Sequence, residues 1–167
     1  MEYVNFVIVK VKKFMSAIGE DKNEMNLNTE YLDLWDKPAS LTEAEIKWFS
    51  GICNDCIEAT GIKILIECAD HERLKGKSKE ALGIFYTNNV ENPLDGDCKI
   101  TIDNFFIHEC YEEVFNNGFN LNFEDLEHVI AHEFAHAFQW RHCKRHTQLT
   151  EELYQKIKEY QKTKQRR

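Results

Sequence analysis

The pentapeptide HEFAH, which runs from His132 to His136, lies inside the longest stretch of helical spacing in this 167-residue chain. Apolar residues recur there at the intervals of one helix face, so we predict a core-facing helix over about residues 123–140. Because an α-helix turns once in about 3.6 residues, His132 and His136 project from one face and Glu133 lies beside it. The apolar residues of this face are Leu126, Val129, Ile130, Phe134 and Ala137.

Two imidazoles one helical turn apart can bind the same divalent ion, and a neighbouring carboxylate can take a proton from a water molecule on that ion. The pattern therefore predicts one Zn²⁺ ion with His132 and His136 as ligands and Glu133 as the general base. A chance match in an ordinary surface helix is the alternative, but the two variable positions are apolar, as a buried helix requires. His128, one turn earlier on the same face, is expected to pack near the ligands rather than bind the ion.

Catalytic zinc usually takes three protein ligands and a water molecule, so the two helix histidines need a third partner. On a continuing helix His142 would lie about 240° from the second histidine, and it could bind only if the chain reversed around Gln139. In the HExxHxxGxxH pattern a glycine makes that turn. His146 lies further along and gives the chain room to leave the helix and return, so it is the preferred third ligand. Glu151 and Glu152 are more distant alternatives.

Composition and charge exclude several classes of protein. The net charge is −8, from 21 basic and 29 acidic residues, which does not favour tight binding to nucleic acid. The basic tail over residues 156–167 leaves a weak nucleic-acid contact open. No apolar run of about 18 residues is present, so we predict no membrane span. The chain starts without a signal-peptide pattern, and its six cysteines are expected to be reduced thiols in the cytoplasm.

The cysteines offer a second, weaker metal pattern. Cys53 and Cys56 form a CxxC pair, and Cys143 with His146 forms a CxxH pair. Two thiols packed in or near the core are the preferred interpretation of the first pair, because no second CxxC follows it. A structural zinc ion shared by the two pairs is the alternative.

Outside the HEFAH helix the pattern predicts a small α+β domain. A capping box of Ser40 and Glu43 begins an amphipathic helix, and Gly61 follows its end. We expect one domain over residues 1–167, with its core over about 41–157 and a sheet of three to four strands packed against the HEFAH helix. The other predicted elements are strands over 3–11, 62–68, 81–87 and 98–103 and helices over 41–59, 104 to about 117, and about 148–161.

The stretch HEFAHAFQWRHCKRH, residues 132–146, resembles the SprT-like zinc metallopeptidases. That family has two helix histidines around a glutamate, a hydrophobic continuation often with a tryptophan, a basic loop, and a third histidine before a closing helix. Trp140 takes the tryptophan position here. The resemblance implies a zincin-like minimal metallopeptidase fold, one zinc ion, and hydrolysis of peptide bonds in a protein substrate. It implies three ligands and one general base, namely His132, His136, His146 and Glu133.

Two other functions remain open for a chain with this motif. One is an antirepressor protease of the ImmA/IrrE type, which also has HExxH and cleaves one dedicated repressor. The other is a binding module in which zinc only staples the fold, with four protein ligands and no water on the ion. A metal site with an open coordination position would indicate one of the enzymes, and a site filled by four protein ligands would indicate the zinc staple.

Overall fold

The computed structural model of the chain describes residues 40–71, 81–118, 120 and 124–166. Within these ranges the predicted α+β class is confirmed, with four α-helices and a three-stranded sheet. The strand predicted over residues 3–11 lies outside the described residues. In chain order the elements are α1 (Glu43–Thr60), β1 (Leu65–Ala69), β2 (Gly83–Thr87), a 3₁₀ helix (Pro93–Asp95), β3 (Cys98–Asp103), α2 (Asn104–Phe115), α3 (Leu126–His136) and α4 (Lys144–Gln165).

The sheet is mixed, and β3 is its central strand in the order β1-β3-β2. β1 runs parallel to β3 and β2 runs antiparallel to it, so that Ile66 and Phe85 both lie opposite Ile100. Ile100 and Ile102 have no exposed surface, and this strand has the bounds that its alternating pattern predicts. In the strand order of the described residues, β2 forms one edge of the sheet.

The capping box of α1 lies two residues later than predicted. Thr42 is the N-cap: its backbone N–H donates to Glu45 Oε2 over 2.6 Å, and the Glu45 N–H donates back to Thr42 Oγ1 over 3.3 Å. The prediction of Ser40 and Glu43 as the capping box is therefore wrong. The pairs Ser40–Glu43 and Thr42–Glu45 have the same spacing, so the sequence pattern alone does not distinguish them. Gly61 takes a left-handed φ of 72° after the last turn, as predicted for the end of this helix.

The core lies where the helices meet the sheet. α3 contacts β2 and β3, and it also contacts α1 and α4. Ile130 and Phe134 of α3 have no exposed surface. Full burial of such side chains stabilises the fold by about 1.5–3 kcal/mol each. The HEFAH helix is thus held in the core, and its polar residues are fixed with it.

The closing helix α4 is longer than the predicted range of 148–161. It begins at Lys144, after Cys143, whose carbonyl accepts the N–H of Thr147 over 3.0 Å. The prediction missed this first turn because its residues show no apolar periodicity, although lysine and arginine propagate helices well. The earlier start places His146 inside a helix rather than in the loop before it.

Candidate metal centre

α3 begins after Asp125 and ends at His136, so it is shorter than the predicted range of 123–140. The ring centroids of His132 and His136 are 5.1 Å apart. Glu133 between them is buried. The two rings therefore project from one face, as their spacing predicts.

The chain reverses direction directly after α3. The N–H of Ala137 bonds to the carbonyl of Phe134 over 3.1 Å, a three-residue step that is tighter than the helix before it. Among the described residues other than glycine only Asn117 has a positive φ, so Gln139 makes the turn with ordinary backbone. The reversal on which a role for His142 depended does take place.

Four imidazole rings converge at the end of α3. One ligand atom from each residue lies within 4.8 Å of all the others. The six distances between ring centroids range from 4.3 to 5.1 Å, so the rings lie near the corners of a tetrahedron. Sequence reasoning treated His142 and His146 as alternative third ligands, and the structure brings both into the group. This histidine cluster consists of His132, His136, His142 and His146.

The spacing of the nitrogen atoms fits a shared metal ion. His142 Nε2 lies 3.1 Å from the Nε2 atoms of both His132 and His136. A neutral imidazole nitrogen carries either one hydrogen or one lone pair, so it cannot align a hydrogen bond with both neighbours at once. Nitrogen ligands about 2.0–2.1 Å from a tetrahedral zinc ion lie about 3.3 Å apart, close to the observed separation.

His136 is oriented by a hydrogen bond on the far side of its ring. Its Nδ1–H donates to the backbone carbonyl of Trp140 over 3.0 Å. This bond selects the tautomer in which Nε2 carries the lone pair that a metal requires. The Trp140 ring itself is T-shaped to Phe85, with 6.2 Å between the centroids. The Trp140 ring also approaches the His136 ring, with 6.1 Å between the centroids, so Trp140 contacts the site through both its backbone and its side chain.

His146 lies in the first turn of α4 and is the most buried of the four, with 2% of its surface exposed. Its Nε2 is buried and has no hydrogen-bond partner within the described part of the chain. A buried nitrogen in that state costs stability unless something else binds it. The position of this atom in the histidine cluster makes a metal ion the partner that fits.

Burial and repulsion between neighbouring rings favour the neutral form of three cluster members, His132, His136 and His146. Burial, followed by repulsion from the neighbouring imidazoles, lowers the pKa of His132 to about 4. The same causes lower the pKa of His146 to about 4, against a hydrogen bond with the backbone of His132. Burial also lowers the pKa of His136. Metal binds the neutral imidazole, so these rings are ready for it near neutral pH.

Glu133 is buried beside the cluster, with 5% of its surface exposed. Burial raises the pKa of its carboxyl to about 7, and a hydrogen bond from the Phe85 backbone N–H acts in the opposite direction. Gly83 leaves room for this carboxyl, since a Cβ there would lie 2.8 Å from Glu133 Cγ and 2.9 Å from Oε1. Sequence reasoning missed Gly83 and Phe85, because the contact joins a strand to a helix far along the chain.

A cleft of about 560 Å³ opens onto the cluster between β2 and α3. Three members of the histidine cluster line it, whereas His146 does not. The Glu133 carboxyl, whose pKa is raised, also lines the cleft. The lining of the cleft includes Gly83, Phe85, Glu133, His136, Trp140 and His142.

The outer edge of β2 borders this cleft. One residue before β2, the Leu82 carbonyl accepts the N–H of Asp103 over 2.9 Å, in register with the β2–β3 ladder. Because such bonds alternate along an antiparallel pair, the backbone groups of Gly83 and Phe85 point away from β3. The Phe85 N–H points in this way towards Glu133. An edge of this kind can pair with an extended peptide.

The remaining candidate ligands lie elsewhere. Glu151 and Glu152 are exposed on α4, where Glu152 pairs with Arg145 at 3.6 Å. His128 lines the cleft with its Nδ1 2.9 Å from Glu124 Oε2, in keeping with a residue that packs near the ligands. The histidine cluster is the only group of three or more metal-binding side chains within the described ranges.

The alternative of a second, structural zinc site is wrong for the described residues. Cys53 and Cys56 are buried in the core on α1, whereas Cys143 is exposed before α4. His146 belongs to the histidine cluster instead. Burial raises the pKa of Cys53 to about 12, so this thiol stays protonated and is a poor ligand.

The basic C-terminal helix contacts the acidic surface of its own fold. Lys164 Nζ lies 2.6 Å from Asp55 Oδ1, and Lys158 Nζ lies 3.5 Å from Glu127 Oε1. These ion pairs use part of the basic tail within the chain, so a nucleic-acid contact stays a prediction that they do not favour. No helix in the described ranges has both the length and the apolar character needed to cross a bilayer.

Comparisons with known proteins give no match. No protein family matches the chain, and neither does any curated protein or solved structure. The resemblance of residues 132–146 to the SprT-like family therefore stays a prediction. What the structure establishes is an α+β domain in which four histidines are placed so that they could bind a metal ion.

Proposed function

We propose that the chain is a zinc-dependent metallopeptidase with a SprT-like, zincin-like domain that hydrolyses peptide bonds in a protein substrate. The all-imidazole donor set supports zinc, which such ligands suit. One observation carries the proposal beyond metal binding: Glu133 is buried beside the histidine cluster with its pKa raised to about 7. A cytoplasmic location is part of the proposal, because all six cysteines are free.

The buried carboxyl favours an enzyme over a structural zinc site. Burying a carboxyl costs free energy that hydrogen bonds recover only in part. A zinc ion that only joined α3 to α4 would need no acid at position 133, where an apolar side chain would pack at lower cost. A carboxyl with a raised pKa at the base of a cleft is typical of a general base. Glu133 therefore supports catalysis rather than stapling.

The chemistry divides between the ion and the protein. When bound, zinc would polarise a substrate carbonyl and make water at the site more acidic. Glu133 would accept the proton of the attacking water and later donate it to the leaving amine, and a pKa near 7 suits both transfers. The Phe85 N–H holds the carboxyl against β2, and the Trp140 carbonyl holds the His136 ring.

An extended peptide is the substrate class that the cleft supports. The cleft lies along the edge of β2, where the backbone groups of Gly83 and the Phe85 carbonyl point away from β3, whereas the Phe85 N–H is bonded to Glu133. A peptide that paired with this edge would run past Glu133 and the histidine cluster. Backbone pairing depends little on side chains, so this feature supports a protein substrate without defining its sequence.

A zinc staple is the second candidate, and the number of imidazoles favours it. Four nitrogen ligands fill a tetrahedral site and exclude water, as in structural zinc sites. The staple would join α3 to α4 through His136 and His146. Glu133 separates the two candidates, because only an enzyme depends on its carboxyl.

Replacement of Glu133 by glutamine tests the proposal. Glu133→Gln keeps the size of the side chain and should retain one zinc ion, while cleavage of an unfolded protein falls on the order of 10²–10⁴-fold. Mass spectrometry of the fragments gives the rate, and elemental analysis gives the zinc content. Glu151→Gln is the matched control, since this acid is exposed on α4 and should leave both unchanged. Cleavage by Glu133→Gln at the wild-type rate would contradict the mechanism.

A further inference from the structure

The histidine cluster contains one imidazole more than a catalytic zinc site needs. Structural zinc has four protein ligands, whereas catalytic zinc has three and one open position. All four rings converge, and His142 Nε2 lies 3.1 Å from the ring nitrogens of both His132 and His136. An enzyme built on this cluster must give up one ligand before a substrate carbonyl can reach the ion.

Three of the four ligands are held by helices, and one is not. His132 and His136 belong to α3, and His146 belongs to the first turn of α4 with 2% of its surface exposed. His142 lies on the connection between these helices and is exposed. It also lines the cleft, which His146 does not. His142 is therefore the ligand that can leave without moving a helix.

The connection that carries His142 is anchored at both ends. At its start the Gln139 N–H bonds to the Ala135 carbonyl over 2.9 Å. At its end the Cys143 carbonyl accepts the N–H of Thr147 over 3.0 Å. Both sequence neighbours of His142 are exposed, so a rotation of this segment between its anchors leaves the core packed.

We infer that His142 is a fourth, displaceable ligand that closes the metal centre at rest and leaves it when a peptide occupies the cleft. The inference rests on the proposed function, because a permanent staple never needs to open. The displacing group is the extended substrate along β2, whose scissile carbonyl takes the cleft-facing position of His142. Small solutes that do not fill the cleft leave the centre closed.

Cobalt tests this assignment, because the visible absorption of Co²⁺ changes with the number and kind of its ligands. Wild type, His142→Ala and His142→Asn would each be loaded with one equivalent of Co²⁺ and titrated with azide, an anion that needs an open position. We expect azide to leave the wild-type spectrum unchanged and to shift the spectra of both variants. Two substitutions are used so that a folding defect in one does not decide the result.

Two further variants make the spectra interpretable. His108→Ala removes a histidine on α2 that pairs with Glu45, outside the cluster, and its spectrum should respond as the wild type does. His136→Ala removes a helix-borne ligand and should lose the ion on dialysis. The inference is overturned if azide shifts the wild-type spectrum as it shifts the variants. It is equally overturned if both His142 variants lose the ion as His136→Ala does.

Cleavage assays separate this inference from the proposed function. With zinc bound, the His142 variants should cleave an unfolded protein faster than the wild type, because no ligand has to leave first, and Glu133→Gln added to either variant should abolish that cleavage. This result supports both proposals. Variants whose cobalt spectra respond to azide but which cleave nothing would contradict the peptidase and leave His142 as the fourth ligand.

Discussion

Two helices of this fold carry pairs of residues with the spacing of metal ligands, and the pairs have different surroundings. α1 carries Cys53 and Cys56, which pack in the core, and burial raises the pKa of both thiols. α3 carries His132 and His136, whose rings meet two further imidazoles from the following connection and α4. A pair of this spacing supplies two donors. The rest of the fold decides whether other donors arrive, and among the described residues they arrive only at α3.

The largest effect expected from this contrast is the loss of the metal. His132→Ala removes one corner of the cluster and should abolish zinc binding, measured by elemental analysis after dialysis. Cys53→Ala should leave one zinc ion bound and lower the free energy of unfolding by about 1–2 kcal/mol through lost packing. Loss of zinc from Cys53→Ala, or its retention by His132→Ala, would contradict the assignment of the metal site to α3 rather than α1.

Two glycines, Gly83 on β2 and Gly51 on α1, differ in the space around them. A Cβ on Gly83 of β2 would lie 2.8 Å from Glu133 Cγ and 3.0 Å from Val129 Cγ1, both on α3. Gly83→Ala should therefore displace the carboxyl, reduce cleavage, and lower the free energy of unfolding by about 1–3 kcal/mol. Denaturant titration and the cleavage assay measure the two effects.

Gly51 on α1 is the matched control for Gly83. A Cβ there meets nothing within 4 Å, and the position lies inside a helix. Gly51→Ala should raise the free energy of unfolding by up to about 1 kcal/mol, because alanine favours the helix more than glycine does. Equal effects of the two substitutions would show that Gly83 is not packed against Glu133.

A further expected effect concerns the pH dependence of the metal-free protein. The pKa of His146 falls from 6.5 to about 4 on folding, so the unfolded chain takes up a proton first as the pH drops below 6.5. The contribution of His146 to stability is complete above that pH and is lost as the pH falls towards 4. Between pH 7 and pH 5 the loss is about 2 kcal/mol.

A variant isolates this contribution from an opposing one. Burial raises the pKa of Glu133 to about 7, so Glu133 stabilises the metal-free fold as the pH falls. The measurement is therefore the difference in slope between wild type and His146→Gln, taken from urea titrations at several pH values. Parallel slopes would mean that His146 is not held neutral by the fold.

Much of this architecture follows from local patterns in the sequence. The strand over 98–103 has its predicted bounds, because its alternating isoleucines are covered on the central strand. The helix with HEFAH is predicted by its apolar face, and its two histidines project together because the spacing and the helical turn agree. The start of α4 was missed because lysine and arginine propagate a helix without leaving an apolar period.

The complete cluster could not be predicted, because it depends on how the chain turns after α3. His142 lies six residues beyond His136, on the wrong face of a continuing helix. The chain reverses through a tightened turn with ordinary backbone angles, so the turn does not need a glycine at position 139, where this chain has glutamine. The contact of Gly83 with Glu133 was equally out of reach, since no local pattern records which strand faces which helix.

The most direct test of the central claim is X-ray absorption at the zinc edge, on protein purified without added metal. We predict one zinc ion per chain in a shell of four imidazole nitrogens at about 2.0–2.1 Å. A protein that remains metal-free when zinc is supplied, or a shell dominated by oxygen or sulfur, would contradict the account.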